Sequence, residues 1–153
     1  MGYTTRAALD AAPPPSEVVV AELLPAVVRW NRDHLGHLAG HPLRDERVRV
    51  VEDDFFKVVK KNPGGFDVIL NDVDNGPGGC ALDRNERLYG PSGLAAIHRC
   101  LRPGGVLGVW CVADDPRLVK AMASAGFEAH SETIFARNVA KGHRHTVFIG
   151  RRS

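Results

Sequence analysis

The sequence predicts an α/β fold with a mostly parallel, three-layer sheet and an antiparallel C-terminal strand pair. Short apolar or β-branched runs alternate with helical stretches along most of the chain. The run Val68-Ile69-Leu70 is apolar without alternation, as in a parallel strand covered on both faces. The last two predicted strands, 128–135 and 146–150, are joined by a hairpin loop at 138–144. Together these patterns predict a doubly wound, Rossmann-like sheet.

The elements follow one another in strict alternation before the final strand pair. Pro25 suits the first position of a helix, and Pro116 begins another helix that Asp114 and Asp115 cap and Gly126 ends. Ser92 is the expected cap of the helix between them. The predicted helices are 4–12, 25–35, 55–62, 93–101 and 116–125, and the remaining predicted strands are 18–21, 48–51, 66–71 and 106–112.

Length and composition restrict the class of protein. A chain of 153 residues with 44% hydrophobic and 25% charged residues is expected to form a single domain, 1–153. Its net charge of +2 is too small to indicate a nucleic-acid partner, and no apolar run is long enough to suggest a membrane span. The first residues lack an export leader, and the three cysteines are odd in number and widely spaced. These features predict a cytoplasmic protein with reduced thiols.

Acidic residues follow three successive predicted strands. They are Glu22, then Asp53 and Asp54, then Asp72 with Asp74. Open α/β sheets bind ligands at the carboxyl ends of their strands, so we expect these side chains to converge on one crevice. Such acids can accept hydrogen bonds from ribose hydroxyls or an exocyclic amino group, or face a cationic group. A single acid at a strand end is usually only a solvated turn residue, but three in register favour an adenosine-type ligand.

Other candidate sites are weaker. His34, His37 and His41 have spacings compatible with metal ligation, but they straddle two glycines and lack a cysteine or carboxylate partner set. We therefore expect no metal. The polar loop after the central strand is either a lid or a solvated loop. Neither a Gly-x-Ser-x-Gly elbow nor a phosphate-binding loop is present.

Four stretches of the chain form a recognisable series of motifs. They are Val18-Val-Val-Ala-Glu22-Leu-Leu, Val50-Val-Glu-Asp-Asp54, Phe66-Asp-Val-Ile-Leu-Asn-Asp72 and Leu101-Arg-Pro-Gly-Gly-Val-Leu107. In order and spacing they resemble the motifs of class I S-adenosylmethionine-dependent methyltransferases. More narrowly, they are similar to the spermidine synthase (aminopropyltransferase) family, and the resemblance covers nearly the whole chain. The family pattern Asp-Ser-Ser-Asp-Pro, closely followed by Gly-Pro, is here the shorter Asp72-Val-Asp74-Asn-Gly-Pro77.

The resemblance implies a role for each acid. Glu22 would hold the ribose hydroxyls, and Asp54 or Asp53 would meet the adenine amino group. Asp72 would stand beside the attacking amine and accept its proton, while Asp74 would anchor the amine. The implied cofactor-binding residues are Gly2, Tyr3, Glu22, Leu23, Asp53, Asp54 and Asp72, and the implied catalytic residues are Asp72 and Asp74.

The start of the chain departs from the family. There, a first strand and a Gly-x-Gly-x-Gly loop precede the helix that we predict at Thr4, and Gly2-Tyr3 resembles the end of that loop. We therefore expect the first strand and the glycine-rich loop to be missing, which leaves a gap in the middle of the sheet. A sheet with such unpaired edges is either destabilised or completed by a partner chain, so we expect a homodimer.

The resemblance implies a cytoplasmic transferase of polyamine biosynthesis. It would bind S-adenosylmethionine or its decarboxylated form and transfer a methyl or aminopropyl group to a small-molecule amine. The motifs concern the adenosine half, which both donors share. They therefore do not decide whether a methyl or an aminopropyl group is transferred. The alternative is a non-catalytic methyltransferase-fold fragment that acts as a binding or dimerisation module, which the missing glycine loop favours. A nicotinamide-dependent dehydrogenase would need an intact Gly-x-Gly-x-x-Gly turn, and the sequence has none.

Overall fold

The computed structural model describes residues 2–73, 86–135 and 144–153. The chain divides into two compact units, Met1–Val58 and Val59–Ser153. The expectation that 1–153 forms a single domain stays a prediction. In the described ranges, no helix is both long and apolar enough to cross a membrane.

The first unit contains one parallel pair of strands. Pro25 occupies the start of a helix, as predicted, and that helix continues into a π-helical turn, Asn31–Leu35, and two short 3-10 helices, Gly36–Ala39 and Pro42–Arg44. The two strands pair in parallel with Ala21 opposite Val51. The elements are α1 (Tyr3–Ala11), β1 (Val18–Ala21), α2 (Pro25–Trp30), β2 (Val48–Val51) and the beginning of α3 (Phe55–Lys61).

An arginine holds α1 against the turn that precedes β2. The guanidinium of Arg47 makes two contacts with the Asp45 carboxylate, at 2.9 and 3.0 Å. The same guanidinium donates to the backbone oxygens of Leu9 at 3.1 Å and Ala12 at 3.5 Å, at the end of α1. The hydrogen bonds from the Arg47 side chain and backbone lower the pKa of Asp45 from 3.8 to about 2.

The second unit contains a four-stranded sheet with strand order β3-β4-β6-β5. β3 and β4 are parallel, whereas β6 is antiparallel to both β4 and β5. This mixed sheet, with helices between its strands, confirms the predicted α/β class and the antiparallel C-terminal pair. The elements are β3 (Phe66–Asn71), α4 (Glu86–Tyr89), α5 (Pro91–Cys100), β4 (Leu101–Cys111), α6 (Pro116–Ser124), β5 (Phe127–Phe135) and β6 (Arg144–Arg152).

One face of this sheet is closed by α6. A Cβ at Gly150 of β6 would lie only 2.6 Å from Cε of Met122, so the helix and the strand approach closely because the residue is glycine. On the same face, Leu107 and Phe148 are fully buried. The other face is open at β3, where the side chains of Val68 and Leu70 are 53% and 49% exposed.

Two local predictions are wrong. Ser92 does not cap α5, because the helix begins two residues earlier than predicted, with Pro91 at its first position and Gly90 as its cap residue. β4 begins at Leu101, which pairs with Phe66, although 102–105 was expected to be a turn. The pairing of β3 with β4 is irregular between Phe66 and Val68, where β4 accommodates its extra residues, and it is regular from Val68 and Val106 onward.

Other local predictions are confirmed. The Asp115 carboxylate accepts a hydrogen bond from the backbone N–H of Arg117 and so caps α6. Gly126 follows that helix with a φ of 100°, a conformation that favours glycine. The strands of the described residues fall into two separate sheets, and the expected gap in the middle of one sheet stays a prediction.

The ion pair between Asp45 and Arg47 predicts a pH dependence of stability. Folding lowers the pKa of Asp45 from its unfolded value near 3.8 to about 2. The stability that the ionised carboxylate contributes is therefore fully present above pH 3.8 and is lost as the pH falls toward 2. Asp45→Asn should lower the urea midpoint at pH 7, and the difference from the wild type should shrink between pH 4 and pH 2. Asp10→Asn removes an exposed carboxylate paired with Arg6 and serves as the control, with little expected effect. A constant difference at all pH values would contradict this account.

Candidate functional site

Glu22 stands where the parallel pair β1 and β2 ends. Its backbone N–H donates to the carbonyl of Val51 at 3.0 Å, which extends the pairing by one residue. Its carboxylate accepts a hydrogen bond from the N–H of Leu24 at 2.9 Å, so the side chain turns back over the following loop. Glu22, the residue predicted to hold the ribose hydroxyls, thus has a half-buried side chain held in a turn. Leu23, inside that turn, is also half-buried.

Asp53 and Asp54 follow the neighbouring strand β2. The carboxylate of Asp54 accepts from the N–H of Phe56 at 2.7 Å, at the start of α3. The carboxylate of Asp53 accepts from the N–H of Asp54 at 2.8 Å and from Nζ of Lys57 at 2.9 Å. This hydrogen bond raises the pKa of Lys57 above its usual value. Both acids therefore have structural partners, and their predicted contact with an adenine amino group stays a prediction.

Gly2 and Tyr3 lie at the start of α1. Gly2 has a φ of 81°, and a Cβ there would lie 2.8 Å from Cγ of Pro42, so both the backbone and the neighbouring ring require glycine. Tyr3 is 54% exposed. The expected roles of both residues in donor binding stay predictions.

Asp72 is exposed at the carboxyl end of β3. It follows Asn71, which is 2% exposed and pairs with Val109 of β4. Neither polar atom of the Asn71 carboxamide has a hydrogen-bond partner among the described residues. Burying an amide without a hydrogen-bond partner destabilises the folded state. The Asn71 carboxamide is therefore a costly buried polar group, one residue before Asp72.

The backbone beyond Asp72 is fixed by a buried tyrosine. The hydroxyl of Tyr89 donates to the carbonyl of Val73 at 3.2 Å, and Tyr89 is only 7% exposed. This residue belongs to the segment that we expected to be a lid or a solvated loop, and here it packs inside the second unit. Asp74, the predicted amine anchor, lies outside the described residues.

An aromatic pair lies beside Asp72, and sequence reasoning missed its tryptophan. The rings of Trp110 and His145 have centroids 5.0 Å apart and planes tilted by 35°. Trp110 directly follows Val109, the neighbour of the last residue of β3, so it stands next to Asp72 across the parallel strands. The sequence of β4 from Val106 to Cys111 is apolar throughout, so the open face on which Trp110 lies could not be found without the structure, and His145 could be placed only from the register of β6.

The structure brings some predicted residues together and leaves others apart. Glu22 and the acids at 53 and 54 lie at the adjacent ends of one strand pair. Asp72 follows a strand of the other sheet, so its convergence with these acids stays a prediction.

One of the histidines considered as metal ligands contacts the backbone. His37 contacts the backbone oxygen of His34 through Nδ1 at 2.9 Å. Within the described ranges, no three histidine, cysteine or acidic side chains are grouped so as to hold a metal ion.

Comparisons with known proteins identify one family. Residues 12–141 match the model of the spermine/spermidine synthase domain. The polyamine aminopropyltransferase of Pseudomonas syringae pv. tomato is 30% identical over 92 residues, which is 59% of this chain and 30% of that protein. The probable spermidine synthase of Corynebacterium glutamicum is 25% identical, with a TM-score of 0.65, over 96% of this chain and 51% of that chain.

The fold itself is similar to that of a spermidine synthase in complex with the transition-state analogue AdoDATO. The TM-score is 0.74 at 17% identity, and the match covers 99% of this chain and 50% of that chain. The chain therefore spans about half or less of the length of these relatives. Because the family model covers most of its residues, the chain belongs to the spermine/spermidine synthase family, with the Rossmann-like α/β fold of methyltransferases.

Proposed function

We propose that this chain is an aminopropyltransferase that uses decarboxylated S-adenosylmethionine as donor and a small amine as acceptor. The observation that carries the proposal is the match of residues 12–141 to the spermine/spermidine synthase domain. The exposed carboxylate of Asp72 at the end of β3, with Trp110 beside it, is the local feature that supports it. The transfer requires no metal, and we expect it to take place in the cytoplasm.

The chemistry needs a neutral amine nitrogen as nucleophile. An alkyl amine is protonated near neutral pH, so a group beside it must take a proton before or during attack. The nitrogen lone pair then forms a bond to the methylene carbon attached to the sulfonium, and the carbon–sulfur bond breaks. Its electron pair goes to sulfur, which leaves as the neutral thioether methylthioadenosine. The carboxylate of Asp72 is the proposed acceptor of the amine proton.

The adenosine half of the donor is assigned to the acids of the first unit. Glu22 can accept from both ribose hydroxyls, because only one of its oxygens is bonded to the N–H of Leu24. A carboxylate oxygen has two lone pairs, so Asp54 can accept from the adenine amino group and still cap α3. Methyl transfer from S-adenosylmethionine would use the same contacts and remains the competing reaction.

The second candidate function is a non-catalytic binding or dimerisation module. It is favoured by the division of the described strands into two sheets, in which β3 forms a sheet edge beside the proposed catalytic residue. A homodimer that adds a strand to an unpaired edge would satisfy these backbone groups. This candidate predicts neither turnover nor donor binding.

Substitution of Asp72 tests the catalytic proposal. Asp72→Asn keeps the size of the side chain but cannot accept a proton, so aminopropyl transfer should fall by about a hundredfold or more. Donor binding, measured by calorimetry, should remain. Asp67→Asn is the matched control, because Asp67 is an exposed acid on the same strand that pairs with Arg102, and its loss should leave turnover unchanged. Full turnover in Asp72→Asn would exclude the role as a base.

Substitution of Asp54 separates helix capping from ligand binding. Asp54→Ser keeps a side-chain oxygen for the N–H of Phe56, so its urea midpoint should match the wild type. Without the charge, donor affinity should fall roughly tenfold, as expected for a lost charge-assisted hydrogen bond. Asp54→Ala should lose both the affinity and about 1 kcal/mol of stability. Wild-type donor affinity in Asp54→Ser would mean that Asp54 serves only as a cap.

A further inference from the structure

The strand β5 is an outer edge of the four-stranded sheet. It pairs with β6 along all nine residues from Phe127 to Phe135, and among the strands of the described residues none lies on its other side. Every second residue of an edge strand directs its backbone N–H and C=O groups away from the sheet. β5 therefore presents a row of backbone hydrogen-bonding groups to whatever lies beside the sheet.

This edge lacks several features that protect edge strands from pairing. Protected edges are very short, or they carry a proline, a lysine or a β-bulge that keeps another strand away. None of the nine residues of β5 is a proline or a lysine, and the pairing with β6 is regular throughout. Ile134 and Phe135, at the end of the strand, are 42% and 50% exposed. Such an edge favours the addition of a further strand, which would cover part of these two side chains.

A second copy of β5 can pair with this edge in only a few registers. When a two-fold axis perpendicular to the sheet relates two antiparallel copies, the residue numbers of every opposite pair have the same sum. Opposite residues share a face of the sheet and faces alternate along a strand, so this sum is even. The register that pairs all nine residues places Phe127 opposite Phe135 of the partner subunit, and Ser131 opposite its own copy on the axis.

In that register the charged groups of the two copies are complementary. Ser131 is flanked by His130 and Glu132, whose side chains share the other face and are about 60% exposed. His130 of one copy then lies opposite Glu132 of the partner subunit, and the axis repeats this pair. A ring N–H of histidine can donate to a carboxylate whether or not the ring is charged. The neighbouring registers centre the axis on His130 or on Glu132 and place two histidines or two glutamates opposite each other, which is unfavourable for the glutamates.

We propose that two copies of this chain associate through β5 as a two-fold symmetric, antiparallel pair of edge strands, with Ser131 on the axis. The two four-stranded sheets then form one continuous eight-stranded sheet. A second copy is the partner that the side chains select, because each copy supplies both members of the complementary pair. β5 and β3 are opposite edges of the sheet, so this interface differs from pairing at β3, and it does not depend on the proposed transferase activity.

Disulfide trapping on the full chain tests the register. Ser131→Cys places two thiols opposite each other, with Cα atoms about 5 Å apart, within the range of a disulfide. Thr133→Cys is the matched control, because its two copies would lie roughly 14 Å apart along the strands. Under mild oxidation, Ser131→Cys should give a covalent dimer on a non-reducing gel, and Thr133→Cys should give no more than the wild type with its three cysteines. Equal trapping in both variants, or none with Ser131→Cys, would overturn the proposal.

An exchange of charges tests the complementary pairs. Analytical ultracentrifugation should show a concentration-dependent dimer of the wild-type chain. His130→Glu places two acids opposite each other at both pairs, so the dissociation constant of the dimer should rise about tenfold or more. Adding Glu132→His to His130→Glu restores unlike partners and should restore the wild-type dissociation constant. Glu128→His is the control, since Glu128 lies opposite Ile134 of the partner subunit in this register, and it should have little effect. A monomer at every concentration, or no recovery in the double variant, would contradict the proposal.

Discussion

Asn71 of β3 lies opposite Val109 of β4, and this parallel register decides which side chains stand beside Asp72. A shift by one residue would exchange the two faces of β3, placing Leu70 in the core and Asn71 on the open face. Trp110 would then no longer be the neighbour of the acid that follows the strand. The proposed site thus depends first on backbone pairing and only then on side-chain chemistry.

The two faces of the four-stranded sheet divide the tasks of stability and binding. On the face closed by α6, Gly150 permits close approach of Met122, and the side chains around them are fully buried. Such packing fixes strand positions, because a well-packed interior tolerates little change in volume. On the open face, exposed apolar side chains and an aromatic pair are available to a ligand, and a rigid sheet can hold charged groups at fixed separations across it.

Much of the fold could be predicted from the sequence because local signals agreed. Pro25 and Pro116 at helix starts, Asp115 as a cap and Gly126 at a helix end each act through their own backbone conformation. The start of β4 could not be predicted, since Pro103 and the two glycines after it are typical of a turn and only pairing with Phe66 makes that segment part of the ladder. Tertiary pairing overrode the local preference there.

The candidate site was less predictable. Acids after strands are visible in the sequence, but the hydrogen bond from Phe56 to Asp54 depends on where α3 begins. The neighbours of Asp72 across the sheet depend on the register of the strand pairs, which no pattern within one strand reveals. Sequence reasoning therefore found the acids and missed Trp110, the neighbour of Asp72 across the parallel strands.

The central claim is that this chain binds an aminopropyl donor, and calorimetric titration with decarboxylated S-adenosylmethionine, S-adenosylmethionine and methylthioadenosine tests it most directly. S-adenosylmethionine carries an additional carboxylate, which acidic side chains such as Asp72 disfavour. The account predicts saturable binding of the decarboxylated donor, tighter than that of S-adenosylmethionine. A folded sample that binds none of the three compounds would contradict it.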